Sequence, residues 1–241
     1  DRKVTARIQW RVGPPWYQNF VDIVKLSGKD IIIPEGARGT FLWAPYFGLL
    51  SVVFVATVVG LVFMHPQAGG FPGDIIVMLY FLIIPAVAVI MGAFASRNPL
   101  ASVGASREMK LVLGYELPFL LAMIVVIVKS GWAIQLGTIL QHQMERGNNL
   151  FSWSGMGAFV IALLCMQAKL GAVPFDIAEA EQEIMAGTHI EYSGFLLAVL
   201  KVTKACLLYT VPLFLILVFW AKDISIGALI AKYCTILVIS I

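Results

Sequence analysis

Six long apolar runs dominate the chain, at roughly 41–63, 75–95, 111–128, 154–170, 193–220 and 224–241. Each lies near the ~20 residues a helix needs to cross the hydrocarbon core of a bilayer. They are continuous and do not alternate, which predicts helices buried in lipid or protein on every side. The expected fold class is all-α, a polytopic transmembrane helix bundle with six apolar spans. The fourth run is the shortest. The fifth is long enough to tilt or bend, with Pro212 as its kink site. Ahead of the first run the pattern changes to a mixed, helical period. Pro14 and Pro15 open a segment that sets Trp16, Phe20, Ile23, Val24 and Ser27 on one face, and Gly28 ends it. This predicts an N-terminal amphipathic helix lying in the membrane interface.

The loops set the orientation. Residues 1–40 carry seven basic side chains, Arg2, Lys3, Arg7, Arg11, Lys25, Lys29 and Arg38. The loop after the first run, HPQAGGFPGD, carries none, and a loop at 96–110 carries Arg97, Arg107 and Lys110. The loop 129–153 holds Lys129 and Arg146 over a longer span. The bias places the N-terminal segment, the 96–110 loop and the 170–192 loop on the cytoplasmic side of the cell membrane. The whole of 1–241 then reads as a single membrane domain, with a basic cytoplasmic segment at 1–40 and an acidic cytoplasmic loop at 170–192. No internal repeat is evident, so the inverted-repeat architecture of secondary transporters is not supported.

Composition agrees. The chain is 60% hydrophobic and 13% charged, with a mean hydropathy of +0.89. A net charge of +3 without a basic cluster excludes a nucleic-acid groove. Cys165, Cys206 and Cys234 sit far apart inside apolar runs, without metal-ligand spacing or a disulfide framework. They read as reduced packing residues, so no iron–sulfur cluster is expected in this chain, and no histidine pair with ligand spacing occurs.

The chemistry concentrates in KLGAVPFDIAEAEQEIMAGTHIEYSGF, residues 169–195. It holds Asp176, Glu179, Glu181, Glu183 and Glu191, and no Lys or Arg occurs between 170 and 200. Like charges beside a membrane resist desolvation and raise one another's pKa. Pro174 suits the first turn of a helix, which would set Asp176, Glu179 and Glu183 on one face, with Glu181 elsewhere and Gly187 as the stop. Such a row is either a proton path or a solvated acidic loop that meets a basic partner. Glu116 is the second signal. It lies inside an apolar run, two residues before Pro118, and must be protonated, paired or beside water. It reads as a proton-relay site or as a structural hydrogen bond between helices. Lys201 and Lys204 share a helical face, positioned either to pair with Glu191 or to snorkel to the interface. His189 flanks the acidic face, whereas His65 and His142 read as loop residues on the opposite side.

VPFDIAEAEQEIMAGTHIEYSGF resembles the acidic loop signature of the H subunit of complex I. DRKVTARIQWRVGPPWYQNFVDIVKL and GASREMKLVLGYELPF resemble two more segments of that subunit, in the same order. The resemblance implies about eight transmembrane helices, one of them before Asp1 and another after Ile241. One departure stands out. Quinone-using members carry an acid and an arginine just before this loop, where this chain has Ala168, Lys169, Leu170, Gly171 and Ala172. That is more similar to the corresponding subunit of ferredoxin-dependent, membrane-bound [NiFe] hydrogenases or sulfane sulfur reductases than to the quinone-reducing NADH dehydrogenase subunit.

The resemblance implies a non-catalytic subunit of an oxidoreductase. It anchors peripheral subunits that carry iron–sulfur clusters and, in hydrogenases, [NiFe]. It passes their redox event to antiporter-like membrane subunits that move H+ or Na+. It further implies that Glu116, Asp176, Glu179, Glu181, Glu183 and Glu191 line the coupling path, and that Arg7, Arg11 and Arg107 sit near the docking surface. A stand-alone ion transporter and a passive anchor for a soluble enzyme are the competing readings.

Overall fold

The computed structural model describes residues 6, 10, 12–13, 15, 17–37, 39–65, 70–179, 181–222 and 225–240, with backbone alone at 181, 182 and 240. Arg7, Arg11 and Trp16 lie outside the described residues. The described elements are helical throughout: α1 (Gln18–Ser27), α2 (Gly39–Met64), α3 (Asp74–Ala95), α4 (Pro99–Lys129), α5 (Leu136–Arg146), α6 (Trp153–Lys169), the single turn α7 (Glu181–Ile184), α8 (Gly194–Phe219) and α9 (Ile226–Ser240). Among the described residues, α2, α3, α4 and α8 are long and apolar enough to cross a membrane, and α6 and α9 are shorter apolar helices.

Helix α2 packs against α3 and α8, α4 against α3 and α6, and α6 against α8, which closes a ring of five helices. Helix α8 is the most enclosed. Every residue from Leu213 to Phe219 is buried, because α5, α6 and α9 also pack against it. A helix apolar on all sides needs such neighbours. Its last carbonyls are closed by side chains from elsewhere. Gln143 Nε2 donates to the Leu217 and Val218 carbonyls at 2.9 Å each. Lys232 Nζ donates to the Trp220 carbonyl at 2.9 Å. These bonds satisfy groups that an apolar helix end otherwise leaves orphaned.

Two expectations about loops are corrected. The span expected at 111–128 starts at Pro99, so most of 96–110 is helix and not loop. Asn98 caps it, its side chain accepting from the Leu100 N–H at 2.8 Å, and Pro99 occupies the first helical position. The polar first half of α4 carries Arg107, Glu108 and Lys110 past the apolar stretch. The segment 129–153 likewise contains helix α5 and a 3-10 turn at Asn149–Phe151, so His142 lies on a helix and not in a loop. Helix α8 runs through Pro212 as one helix.

Helix α1 has no buried residue and leaves Phe20 and Val24 exposed. Its other side packs against α8. The strand of chain behind it is tied to the start of α8, where the Ile32 N–H donates to Ser193 Oγ at 3.0 Å.

Candidate functional site

The site forms where the N-terminal half of α4, the C-terminal end of α6, the loop 170–193 and the first turns of α8 meet. The acidic segment is not the expected helix. Residues 171–179 run in turns after Gly171, and only Glu181–Ile184 is helical. Asp176, Glu179 and Glu183 therefore do not share a helix face. A helix here lacks any cation at i+4 to offset its carboxylates. The chain then reverses through Met185, Ala186 and Gly187, all at positive φ (49°, 71° and 46°). So the helix stops at Ile184, before Gly187, and Gly187 opens the 3-10 turn Gly187–His189.

That turn rests on α4. A Cβ on Gly104 would lie 2.8 Å from the Thr188 nitrogen and 3.0 Å from the Gly187 carbon, so only glycine admits the approach. Gly187 is fixed twice over, by its positive φ and by the Ala178 carbonyl oxygen pressed against the place of a Cβ. At the far end of the loop, Tyr192 is buried. It stacks on Phe41 with ring centroids 4.3 Å apart and donates from its hydroxyl to the Phe41 carbonyl at 3.2 Å.

The carboxylates find their partners on the surrounding helices. Arg107 of α4 pairs with Glu183 at 2.5 Å in an exposed setting. The Glu191 carboxylate accepts from the Asn98 side-chain amide at 2.5 Å, so one residue caps α4 and holds the loop. Lys204 of α8 donates to both Glu179 oxygens at 3.1 Å, and His189 Nε2 lies 3.2 Å from Oε1 of the same carboxylate. Burial pushes the Glu179 carboxyl up, but the His189 hydrogen bond and charge and the Lys204 ammonium outweigh it and hold it at about 2. Lys204 thus pairs with Glu179, and the expected pairing with Glu191 is not made. Lys201 makes no ion pair among the described residues.

Deeper in, Glu116 is paired. Lys169 Nζ lies 2.7 Å from its Oε2, with only 3% of the lysine and 13% of the glutamate side chain exposed. The ammonium also sits over the Tyr115 ring at 4.9 Å and the Phe119 ring at 5.0 Å. A cavity of about 90 Å³ opens beside this pair. Glu108, Asp176, Glu179, His189, Lys204 and Lys169 itself line it. A broken line of ionisable groups therefore runs from the exposed Glu183 to a carboxylate inside the apolar part of α4. Among the described residues no group of three His, Cys, Asp or Glu is arranged to hold a metal.

The family model for NADH dehydrogenase matches residues 1–241. The chain belongs to the NADH dehydrogenase family. It is 32% identical over 206 residues to the H subunit of NADH-quinone oxidoreductase from Anoxybacillus flavithermus, covering 81% of this chain and 60% of that one. It is equally 32% identical over 206 residues to hydrogenase-4 component C of Escherichia coli K12, covering 83% and 62%. The chain thus spans about 60% of the length of these curated relatives. Among solved structures it is similar to a chain of the membrane-bound sulfane sulfur reductase, an archaeal respiratory membrane complex. The TM-score is 0.86 at 26% identity, covering 99% of this chain and 80% of that one.

Within this family member, the structure brings Asp176, Glu179, Lys204 and, through Lys169, Glu116 around one cavity. Glu183 and Glu191 lie on the outer side of the same loop, held by α4. Glu181 opens α7, and its side chain lies outside the described atoms. Sequence reasoning missed two participants. Lys169 stood out only as a departure from the family pattern, and Glu108 was passed over beside Arg107. The signal for Glu108 was a carboxylate on the same helix as Glu116, about 12 Å nearer the helix start.

Proposed function

We propose that this chain is the coupling subunit of a complex I-related, ferredoxin-dependent respiratory complex of the membrane-bound hydrogenase type. It anchors the peripheral, iron–sulfur-bearing arm and passes the redox event to membrane subunits that move H+ or Na+. The electron chemistry, and any [NiFe] centre, belongs to those partner subunits. The chain sits in the cell membrane with its N-terminal segment and acidic loop on the cytoplasmic side. Helix α1 lies in the interface, its exposed Phe20 and Val24 facing lipid. The six apolar helices α2, α3, α4, α6, α8 and α9 span the bilayer, the two shorter ones with the help of neighbours.

The observation that carries this reading is the buried Lys169–Glu116 pair, with Lys169 lining the cavity that Glu108, Asp176, Glu179, His189 and Lys204 also line. A passive anchor has no use for an ion pair buried at that depth, since each buried ion costs several kcal/mol of desolvation. The cation at 169 favours the hydrogenase-type reading over a quinone-reducing one, and the structural likeness to the sulfane sulfur reductase complex keeps that acceptor as the second reading.

The test is Glu179→Gln in the complete complex reconstituted in liposomes. Electron transfer to the acceptor continues, and the ion gradient is lost. A variant that transfers electrons and builds the gradient as the wild type does would sink the coupling role.

A further inference from the structure

We propose that Lys169 carries protons between the cavity and Glu116, and is more than the counter-ion that keeps Glu116 charged. This rests on the coupling reading and adds to it the residue that joins its two halves. Glu108 and Glu116 stand on one helix about 12 Å apart along its axis, too far for direct proton exchange. Lys169 lines the cavity with Glu108, Glu179, His189 and Lys204, yet its Nζ is bonded to Glu116 Oε2 at 2.7 Å. It is therefore a cavity-lining residue that is also bonded to Glu116.

Its placement suits transfer. Lys169 is the last residue of α6, and Gly171 two residues on has φ +57°, so the ammonium hangs from the end of a helix. The rings of Tyr115 and Phe119 bracket it. Glu116 Oε1 is buried and takes no hydrogen bond among the described residues, which leaves that oxygen open for onward transfer.

The step balances in two moves. Lys169 Nζ gives a proton to Glu116 Oε2, leaving a neutral amine and a carboxylic acid. No net charge is created, since an ion pair becomes a neutral pair, so the low dielectric does not oppose it. The amine then takes a proton from the cavity side, from a protonated Glu108. The site now holds one net positive charge in an apolar setting, which favours onward release of the Glu116 proton once the carboxyl group turns about its Cγ–Cδ bond and points that proton away from Lys169. Each round moves one proton from cavity to exit and restores the ion pair. The charged groups around Lys169 are Glu108 and Glu116 of α4, Asp176, Glu179 and His189 of the loop, and Lys204 of α8. Arrival or loss of a proton anywhere among them biases the first move.

Lys169→Arg in the complete, liposome-reconstituted complex separates relay from scaffold. Arginine keeps a positive charge beside Glu116 but does not surrender its proton. The expected result is electron transfer within about twofold of wild type and at least a roughly tenfold fall in ions moved per electron. Wild-type pumping by Lys169→Arg overturns the proposal. If the larger side chain blocks assembly, redox-difference infrared spectroscopy of the unaltered complex decides. A carboxylic-acid carbonyl band rises and decays during turnover, and Glu116→Gln removes it. Absence of any such band overturns the proposal equally. Normal pumping in Lys169→Arg with pumping lost in Glu179→Gln sinks this inference alone. Normal pumping in both brings down the coupling reading itself.

Discussion

Replacing Lys169 by methionine leaves the Glu116 carboxylate with its apolar neighbours and no counter-ion. Removing one partner of a buried pair costs about 3–5 kcal/mol, and the 3% and 13% exposures of the two side chains place this pair in that class. The penalty of Lys169→Met is therefore about 3–5 kcal/mol. Lys169→Met combined with Glu116→Gln has no charge to strand, so it lies within about 1 kcal/mol of wild type, and the cycle yields a coupling of about 3 kcal/mol. The assay is the denaturation midpoint of the assembled complex in mild detergent, taken for the four members of the cycle. A Lys169→Met defect that persists undiminished in the double variant refutes the reasoning. In that case the lysine stem's packing, not its charge, holds the site together.

Two further outcomes follow from the loop. Gly104→Ala drives a methyl group into the backbone at Gly187 and Thr188, so about 1–3 kcal/mol of strain is expected. Limited proteolysis should then cut within 170–192 severalfold faster, while cleavage elsewhere is unchanged; equal rates would mean that the turn does not rest on α4. The Glu179 carboxyl is held at about 2, below its ordinary 4.5. Because the folded value is the lower one, its contribution to stability is complete above about 4.5 and is lost as pH falls toward 2. Hydrogen exchange of the amides from Ala178 to Ile190, corrected for intrinsic rate, should therefore rise across that window. Lys204→Met should move the rise to higher pH, and an unmoved profile would show that Lys204 does not hold Glu179.

The helices were legible because lipid-scale apolar runs leave little choice of structure. The runs at 41–63 and 193–220 became Gly39–Met64 and Gly194–Phe219. The start of α4 was missed because charge was read as loop. Charge sets the depth at which a helix sits, whereas Asn98 and Pro99 carried a start signal that did not depend on it. The acidic residues were legible as a group, but their geometry was not. The positive φ values at 185–187 and the approach of Gly187 to Gly104 arise from packing between segments far apart in sequence. The Lys169–Glu116 bond spans 53 residues, beyond the reach of any local pattern.

The absence of Lys and Arg between 170 and 200 acquires a physical meaning in this arrangement. Besides His189 within the loop, which lies against Glu179, Glu179, Glu183 and Glu191 are held by side chains outside it. Glu183 reaches Arg107 on α4, and Glu179 reaches Lys204 on α8. Glu191 reaches Asn98, which caps α4. Movement or protonation at Glu179, Glu183 or Glu191 therefore alters a bond to α4, its cap or α8. Helix α4 carries Glu116 further along its length, and Lys169 returns from that carboxylate to the cavity under the loop. The bonds that fold the loop are the ones an electrostatic event at its surface would perturb, and Lys169 ties the cavity beneath the loop to the buried carboxylate.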